Sequence, residues 1–230
     1  MNELATKLGS ALDVRLETIV RMVEPFEQRW SVRTESGSVQ TDALILSCPA
    51  PQSLALLAGC RGRLSPGFVL DLEAVEYDPC FALLAVVDGS SRVPSPGYVR
   101  LEEGPIEWIA DNTQKGLSTG GAALTIHARA DFSRRHLVSA TDSVAAMLLE
   151  SAADWLGGHV VGWQLHLWRY SRPAPGNRPV CLFTQQPACL AVAGDAFGGS
   201  RVEGAFVSGL AAAERLAKCE TGGGLLQLTC

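Results

Sequence analysis

The residues best suited to chemistry lie near the carboxyl end of the chain. An apolar run at 190–193 ends in Gly194-Asp195, and a glycine-bearing loop then leads into a helical stretch that runs to about Ala217. A strand, a loop and a helix start in this order bring unpaired N–H groups and the positive end of a helix dipole together, which favours an anionic or electron-rich ligand. Gly204 and Gly209 would let a flat ring approach closely, and Asp195 could bind a ribose or ribityl hydroxyl. The pattern is equally compatible with an ordinary β–α turn whose aspartate caps the helix.

Other residue types that perform chemistry show no such pattern. The seven cysteines are widely spaced and include no CxxC pair, so we expect mostly buried thiols and predict neither a zinc site nor a disulfide framework. The four histidines lack the HxxxH and HExxH spacings of metal sites. No serine, histidine and acidic residue fall in a recognisable catalytic order, which argues against a serine hydrolase. We therefore predict no bound metal, and the spacing of these residues identifies no catalytic residue.

Composition indicates a globular protein. The 230 residues are 47% hydrophobic and 19% charged, which allows a sizeable core in one large or two small domains. The net charge of −5 comes without any long basic run, so nucleic-acid binding is not expected. No apolar run approaches the roughly 20 residues that span a bilayer, and the first residues lack the pattern of a secretory signal. We therefore expect a cytoplasmic protein that binds a small molecule but no membrane; its oligomeric state is left open.

The first part of the chain reads as alternating helices and strands. Periodicity predicts a short helix at 4–12, extended segments at 14–16 and 18–23, a strand at 30–34 that enters a hairpin at 36–38, and a helix at 52–57. The run 43–48 is apolar throughout, which is typical of a strand buried on both faces of a mostly parallel sheet.

The middle of the chain has a different character. Strands are predicted at 81–87, 106–110, 122–128 and 164–170, together with one long helix at 139–155 that offers capping side chains at 141–143. Short strands at 181–183 and 190–193 follow. These patterns predict one domain from 1–64 and 176–218, an antiparallel domain at 65–175, and a disordered tail at 219–230.

Gly194-Asp195 followed by the run 202–209, Val-Glu-Gly-Ala-Phe-Val-Ser-Gly, resembles the carboxy-terminal FAD motif of flavin-containing amine oxidases and phytoene desaturases. Stretches at 18–20, 30–32, 42–51, 72–77, 108–112 and 168–170 are similar to the renalase-like branch of that family. The resemblance implies an α/β fold with an α+β insertion: a Rossmann-like FAD-binding domain interleaved with an antiparallel-sheet substrate domain. It also implies oxidation of a reduced nicotinamide-like or amine substrate by hydride transfer to flavin, with O2 as acceptor.

The same resemblance implies roles for individual residues. Val20 would contact the adenine end of FAD, Pro49 would lie along the cofactor, Gly194 and Asp195 would bind near the ribityl–pyrophosphate link, and Val202, Glu203 and Gly204 would present N–H groups to the ring. Trp108, Asn112, Trp168 and Tyr170 would bind substrate, since hydride transfer mainly requires two flat rings to be stacked and shielded from water. The alternative for these residues is a set of core aromatics.

The chain departs from the family pattern in one respect. The family begins with a strand, a GxGxxG turn and a helix that bind the FAD pyrophosphate, and no GxGxxG occurs here. We therefore expect about 90 to 100 family residues to be missing ahead of Met1, which leaves an incomplete Rossmann-like domain. A start site placed too far downstream, an inactive fragment and a second polypeptide that completes the domain are open explanations. The alternative function is a binding or assembly module without flavin.

Overall fold

The computed structural model describes residues 2–116 and 121–220. Its helices are α1 (Asn2–Gly9), α2 (Ala50–Leu56), α3 (Pro66–Glu73), α4 (Ala130–Arg135), α5 (Thr141–Ser151), α6 (Ala153–Leu156), α7 (Asp195–Gly198) and α8 (Val202–Glu220), with a 3₁₀ helix at Ala58–Arg63. Its strands are β1 (Val20–Phe26), β2 (Arg29–Thr34), β3 (Gly37–Thr41), β4 (Ala43–Leu46), β5 (Tyr77–Val87), β6 (Tyr98–Arg100), β7 (Ile106–Asp111), β8 (Ala123–Ala128), β9 (Val160–Pro173), β10 (Leu182–Thr184) and β11 (Cys189–Val192).

The chain forms two compact units. The first contains Met1–Val75 and Gly176–Cys230, and the second contains Glu76–Pro175. The first break lies after Val75 rather than after residue 64, because 66–73 forms α3, which packs on α2 and β10 of the first unit. Helix α8 continues to Glu220, two residues into the segment predicted as a disordered tail; the rest of that segment, 221–230, lies outside the described residues.

The first unit contains two small sheets. Strands β1, β2 and β3 form an antiparallel sheet, in which Gly37, with φ +147°, follows the turn between β2 and β3. Trp30 on β2 is fully buried, and its indole N–H donates to the carbonyl of Cys189 at 3.0 Å. This hydrogen bond joins the hairpin sheet to the start of β11.

The second sheet has the order β10-β11-β4, with β11 parallel to β4 and antiparallel to β10. The sequence predicted that the apolar run 43–48, which contains β4, is buried on both faces. This prediction is wrong within the described chain. Leu46 is buried, but Ile45 is 40% exposed. The reason is that β4 is the edge strand of its sheet among the described residues, so an apolar strand of the kind found inside parallel sheets has one side left open.

Helix α8 packs on this sheet through small side chains. Gly204, Ser208 and Ala212 recur every four residues and are buried, which is the spacing of one helical face. The buried cluster beneath the helix is small: Cys181, Ala191, Ala193 and Ala212, with Phe183, Ala211 and Leu216 against it. Small residues allow the helix axis to approach the strands closely.

The second unit is a five-stranded antiparallel sheet with the order β6-β7-β8-β5-β9. Helices α4 and α5 cover one face of this sheet. The core between them is one continuous cluster of buried residues: Phe81, Leu83, Val87, Val93, Ile106, Ile109, Ala122, Leu124, Ile126, Ala128, Phe132, Val144, Ala145, Leu148, Ala152 and Leu156. Alternate residues of β8 therefore point into this core, as the predicted antiparallel strand requires.

The helix predicted at 139–155 differs from the observed one at both ends. It starts at Thr141 after Ala140, an extended residue that makes no side-chain capping bond, so the expected caps at 141–143 are not used as the N-cap. It is interrupted at Ala152 (φ −94°, ψ 0°) before α6 begins. The preceding residue, Ser151, donates its hydroxyl to the Met147 carbonyl at 2.7 Å, a side-chain bond that competes with the helical ladder.

Five elements were not predicted, among them the 3₁₀ helix and α7, and one predicted segment does not form. Helix α3 begins at Pro66 after Ser65, whose hydroxyl accepts the Phe68 N–H at 3.4 Å. Helix α4 and strand β6 are also additional, and 14–16 forms no strand. No helix in the described parts of the chain is long and apolar enough to cross a membrane.

Candidate functional site

A cleft of about 520 Å³ opens in the first unit where β11 ends and α8 begins. It is lined by Ile45, Ser47, Ala193, Gly194, Asp195, Ser200, Arg201, Val202, Ala205 and Gly209. This volume lies within the range of small-molecule sites. The cleft therefore occupies the carboxyl end of the parallel pair β4 and β11, which is where α/β sheets bind ligands.

The loop that shapes the cleft depends on close backbone packing. A Cβ at Gly204 would lie 2.6 Å from the carbonyl oxygen of Gly198 and closer still to that of Gly199, so the first turn of α8 presses against the loop. Gly194 has φ +149°, a conformation that side chains disfavour, and its N–H donates to the Ser208 hydroxyl at 3.0 Å. These contacts hold the loop against the helix.

The start of α8 borders the cleft at Val202 and carries N–H donors that lack helical partners. The N–H of Ala205 donates to Arg201 at 3.0 Å, which closes the first helical turn. The preceding N–H groups, those of Val202, Glu203 and Gly204, have no carbonyl partner inside the helix, and the 19-residue helix places the positive end of its dipole here. One turn further on, a Cβ at Gly209 would meet nothing within 4 Å, so this glycine leaves open space in the cleft.

Asp195 provides the negative charge of the cleft. Burial raises the pKa of its carboxyl group, and the backbone N–H groups of Ala196 and of Asp195 itself offset this effect only in part. Arg201, whose side chain is exposed, provides a positive charge on the same cleft wall. A carboxylate held in this way gains from a hydroxyl donor on a ligand.

A second cleft of about 580 Å³ lies in the same unit. Val20 and Val32 of the hairpin sheet line it together with Ile45 of β4. Because Ile45 also lines the first cleft, one edge-strand residue borders both.

The residues predicted to bind the cofactor fall into three groups. Gly194, Asp195 and Val202 line the first cleft, and Val20 lines the second. Pro49, Glu203 and Gly204 line neither of these two clefts: Pro49 precedes the first residue of α2, Glu203 is exposed, and Gly204 is buried against the loop. Sequence reasoning missed Ser47 and Arg201 as lining residues, although each adjoins a motif that it identified.

The substrate-binding residues were predicted on the second unit, and cross-strand register brings two of them to the sheet face opposite α4 and α5. Trp108 lies opposite His127, which lies opposite Ala82, which lies opposite His166, so one row of same-face residues crosses four strands. Trp168 pairs with Cys80 and belongs to the same face. The two histidines were missed, although the period-2 alternation of β8 would have indicated His127.

Aromatic rings on this face pack in pairs. Trp108 stacks on Tyr98 with 4.4 Å between ring centroids, and Trp168 lies edge-on to His166 at 4.4 Å. Trp168 is 56% exposed, so its indole is available to a ligand. Desolvation by the surrounding protein lowers the pKa of His127 although the side chain is exposed and the Glu107 carboxylate opposes the shift, and this favours the neutral imidazole at neutral pH.

Asn112 directly follows β7, and Tyr170 lies near the end of β9. The Asn112 amide donates to the Thr125 hydroxyl at 2.9 Å, which fixes its side chain beside β8. Tyr170 lies where the pairing of β5 and β9 shifts register, and its ring is edge-on to Tyr77 at 5.5 Å. The alternation predicted for 168–170 is therefore interrupted by a bulge. In residues 2–116 and 121–220, no group of three or more His, Cys, Asp or Glu side chains is placed to hold a metal ion.

A glycine-bearing loop between a parallel strand and a long helix is typical of the class of α/β proteins that bind a dinucleotide-like cofactor. The sequence matches the family described as flavin containing amine oxidoreductase over residues 1–217, so the chain belongs to that family. The renalase-like character predicted from sequence is confirmed by 26% identity to mouse renalase over 211 residues, which are 87% of this chain and 62% of renalase.

Solved structures show the same fold at low identity. A candidate protoporphyrinogen oxidase from an Exiguobacterium species superposes with a TM-score of 0.67 at 15% identity, covering 94% of this chain and 51% of that protein. Cyclohexylamine oxidase from Brevibacterium oxydans gives a TM-score of 0.60 at 14% identity, with 89% and 49% coverage. Wild-type putrescine oxidase gives 0.61 at 18% identity, with 94% and 53% coverage. The chain thus spans about half the length of these structures.

Family membership implies FAD as the cofactor, in agreement with the sequence prediction. The residues present fit part of FAD. Gly194 and Gly209 leave space that a side chain would occupy, the α8 start offers N–H donors, and Asp195 offers a hydroxyl acceptor. Within the 230 residues, no GxGxxG cradle accompanies them.

Proposed function

We propose that this chain supplies the distal part of the flavin site of an FAD-dependent oxidoreductase that oxidises a reduced nicotinamide-like or amine substrate, with O2 as acceptor. The observation that carries the proposal is the cleft between β11 and α8, which combines helix N–H donors, the open space at Gly209 and the Asp195 carboxylate. The relatives support the donor class, since they include a renalase, a cyclohexylamine oxidase and a putrescine oxidase solved with putrescine bound.

The proposal assigns cofactor residues on the first unit. Gly194, Asp195 and Val202 border the ribityl part of FAD, and Val20 borders its adenine end in the second cleft. Pro49 follows β4 along the cofactor, and Glu203 and Gly204 contribute backbone N–H groups. The open space at Gly209 supports a ring placed over the start of α8.

The Rossmann-like domain is completed, in this proposal, by residues that carry the GxGxxG turn. Exposed apolar side chains support this idea: Ile45 on the edge strand β4, and Val202, Phe206 and Leu210 at four-residue intervals on α8, are 40–53% exposed. Parallel strands are almost always covered on both faces, so an edge strand and a helix face of this kind favour a further strand and helix packed on them. The 62% coverage of renalase is consistent with such a segment.

The substrate site is proposed on the open face of the second unit. Bound FAD would supply the hydride acceptor for the substrate. Trp168 would stack on a flat donor and exclude water, and the Tyr170 hydroxyl would orient its polar groups. Trp108 and Asn112, three strands away across the sheet, would border the far side of the same face. The lowered pKa of His127 favours the neutral imidazole, which adds no charge that would repel a cationic amine.

The test uses the protein expressed from the longest reading frame that contains this chain. Asp195→Ala is expected to weaken FAD binding by about 1.5–3 kcal/mol, or roughly 10- to 150-fold in Kd, because a charge-assisted hydrogen bond is lost. Flavin absorbance after equilibrium dialysis measures the change. Asp71→Ala, an exposed aspartate on α3, is the matched control and should retain full flavin content.

Two results would contradict the proposal. Equal FAD affinity for wild type and Asp195→Ala would remove the role given to this carboxylate. A wild-type protein that binds no flavin would favour the second candidate, a binding or assembly module without flavin, for which the missing GxGxxG is the supporting observation. Single-turnover reduction of the flavin by a panel of dihydronicotinamides and amines then identifies the donor.

A further inference from the structure

Two cysteines of the first unit form a disulfide bond, contrary to the expectation from sequence. Cys189 is the first residue of β11 and Cys219 lies in the last turn of α8, and their Cα atoms are 6.6 Å apart, within the range for a disulfide. Cys48, Cys60, Cys80 and Cys181 are free. Both bonded residues are half-buried, so a small thiol or disulfide reagent can reach them.

The position of Cys219 follows from the sheet-facing stripe of α8. Ser208, Ala212, Leu216 and Cys219 are spaced by four, four and three residues, which keeps them on one side of a helix. Ser208 and Ala212 are fully buried, and Leu216 packs on the cluster beneath them. The cysteine therefore continues a face that already contacts the sheet.

The disulfide and a hydrogen bond connect the same strand and helix at opposite ends. The N–H of Gly194, after the end of β11, donates to Ser208, while Cys189 at its start is bonded to Cys219. The strand from 189 to 194 rises about 16 Å at 3.3 Å per residue, and the helix from 208 to 219 rises about 16 Å at 1.5 Å per residue. The disulfide and the hydrogen bond are therefore separated by the same distance along β11 and along α8, and together they hold the strand and the helix side by side.

We propose that Cys189 and Cys219 are a reversible thiol–disulfide clamp that fixes α8 along β11 and so holds the cofactor loop between them in shape. The contact between helix and strand uses small residues, so it buries little apolar area and gains from a covalent link. The effect on FAD rests on the proposed function; the clamp itself does not.

The redox step is a thiol–disulfide exchange. Oxidised glutathione, a small-molecule disulfide, accepts the two electrons and two protons that the Cys189 and Cys219 thiols lose. The sulfur–sulfur bond of glutathione breaks, the bond between the two cysteines forms, and two reduced glutathione molecules are released. Excess reduced glutathione reverses the exchange.

The first experiment asks whether the clamp forms and reopens. The purified protein is equilibrated with oxidised or reduced glutathione, alkylated, digested without reductant and analysed by mass spectrometry. A linked peptide pair containing Cys189 and Cys219 is expected in the oxidised sample, with both thiols alkylated in the reduced one. Absence of the linked pair at every glutathione ratio would overturn the proposal.

The second experiment measures what the clamp contributes to stability. Reduction of the wild-type protein should lower the Tm of its first unit by about 5 to 15 °C, because the bond closes a loop of 30 residues. The double variant Cys189→Ser/Cys219→Ser should match the reduced wild type and show no response to reductant. A wild-type Tm that is equal in both states overturns the clamp even if the double variant does not fold.

The third measurement separates the clamp from the proposed flavin site. If the clamp holds the cofactor loop, FAD should dissociate several-fold faster from the reduced protein, as followed by flavin fluorescence. Equal dissociation rates would overturn the coupling while leaving the flavin site in place. Absence of FAD from both states would overturn the proposed function and the coupling, whereas the linked peptide and the Tm shift would still support the clamp.

Discussion

Two aspartates, one in each unit, differ in their hydrogen bonding and in the direction of their pKa shifts. In the second unit Asp111 is 3% exposed and accepts hydrogen bonds from the Ser91 hydroxyl at 2.7 Å and the Thr113 N–H at 2.8 Å. Burial pushes the pKa of Asp111 up, but these bonds and those from Gln114 outweigh it, so the pKa lies below its ordinary value. Burial instead dominates at Asp195, whose pKa is raised. One carboxylate is satisfied inside its own unit, and the other is left to interact with a ligand.

The packing of α8 on its sheet differs from the core of the second unit in the same sense. The second unit has a continuous core of branched and aromatic side chains between its sheet and helices, whereas α8 rests on a four-residue cluster of cysteine and alanines. The glycines and alanines at the contact of α8 with the sheet bury little apolar area, so this contact contributes little to the free energy of unfolding. The comparison suggests that the second unit is a self-sufficient framework and that the contact of α8 with its sheet, rather than the buried core around Trp30 and Leu72, depends on ligand, clamp or further chain.

The largest effect is expected from the core of the second unit. Leu83→Ala should destabilise this unit by about 2–5 kcal/mol, because Leu83 is fully buried and its truncation leaves a cavity. Leu84→Ala is the matched control, since the adjacent side chain points to the other face and is 42% exposed. Denaturant unfolding followed by tryptophan fluorescence measures both variants. Similar losses for the two would show that the core does not lie where the buried cluster indicates.

The second prediction concerns two glycines of α8 that the sequence does not distinguish. Gly204→Ala should cost about 1–3 kcal/mol, because the new Cβ would collide with the carbonyls of the loop at 198–199. Gly209→Ala has open space and should stabilise the apoprotein by up to about 1 kcal/mol through helix propensity. Thermal unfolding of the apoprotein measures both. A destabilised Gly209→Ala variant would mean that this position is packed within the chain rather than open to the cleft.

The two glycines also illustrate how far sequence reasoning reaches. The motif around Asp195 located the strand, the loop and the helix, and period-2 alternation located most strands of the second unit. The motif could not separate Gly204, needed for packing against the loop, from Gly209, which leaves space, because that difference arises from a backbone approach between separate segments. For the same reason, spacing along the chain did not reveal the bond between Cys189 and Cys219, which depends on how α8 returns along β11.

Elements that lack a local pattern were missed for other physical reasons. Helix α3 has only eight residues and buries Phe68, Val69 and Leu72 without a clear polar face, so its periodicity is weak. The interruption of the predicted long helix at Ala152 occurs at a residue with high helix propensity, so the cause lies in neighbouring residues such as Ser151, whose hydroxyl bonds to the Met147 carbonyl. The open side of β4 could not be predicted, since an apolar run carries no information about which strands are present beside it.

The smallest effects, which have opposite signs, test the comparison between the two aspartates directly. Asp111→Asn should destabilise the protein by on the order of 1 kcal/mol at neutral pH, since it weakens hydrogen bonds to a charged acceptor. Because the folded-state pKa of Asp111 is lowered, its contribution is present above the ordinary aspartate range and is lost as pH falls through the folded value, below about pH 4. The deficit of the variant should therefore persist from pH 7 down to about pH 4 and shrink only below it.

Asp195→Asn should behave in the opposite way in the apoprotein. A raised folded-state pKa means that the buried carboxylate costs stability once it ionises, so the variant should be more stable than wild type at neutral pH. This advantage should shrink as pH falls through the raised folded-state pKa and should disappear only below about pH 4, where the wild-type group becomes protonated in the unfolded state as well. Denaturant midpoints of wild type and both variants, measured across this range without flavin, give the two slopes. If Asp195→Asn lost stability with the same pH profile as Asp111→Asn, Asp195 would be a satisfied structural carboxylate, and the contrast between a self-contained unit and a ligand-dependent one would fail at its most specific point.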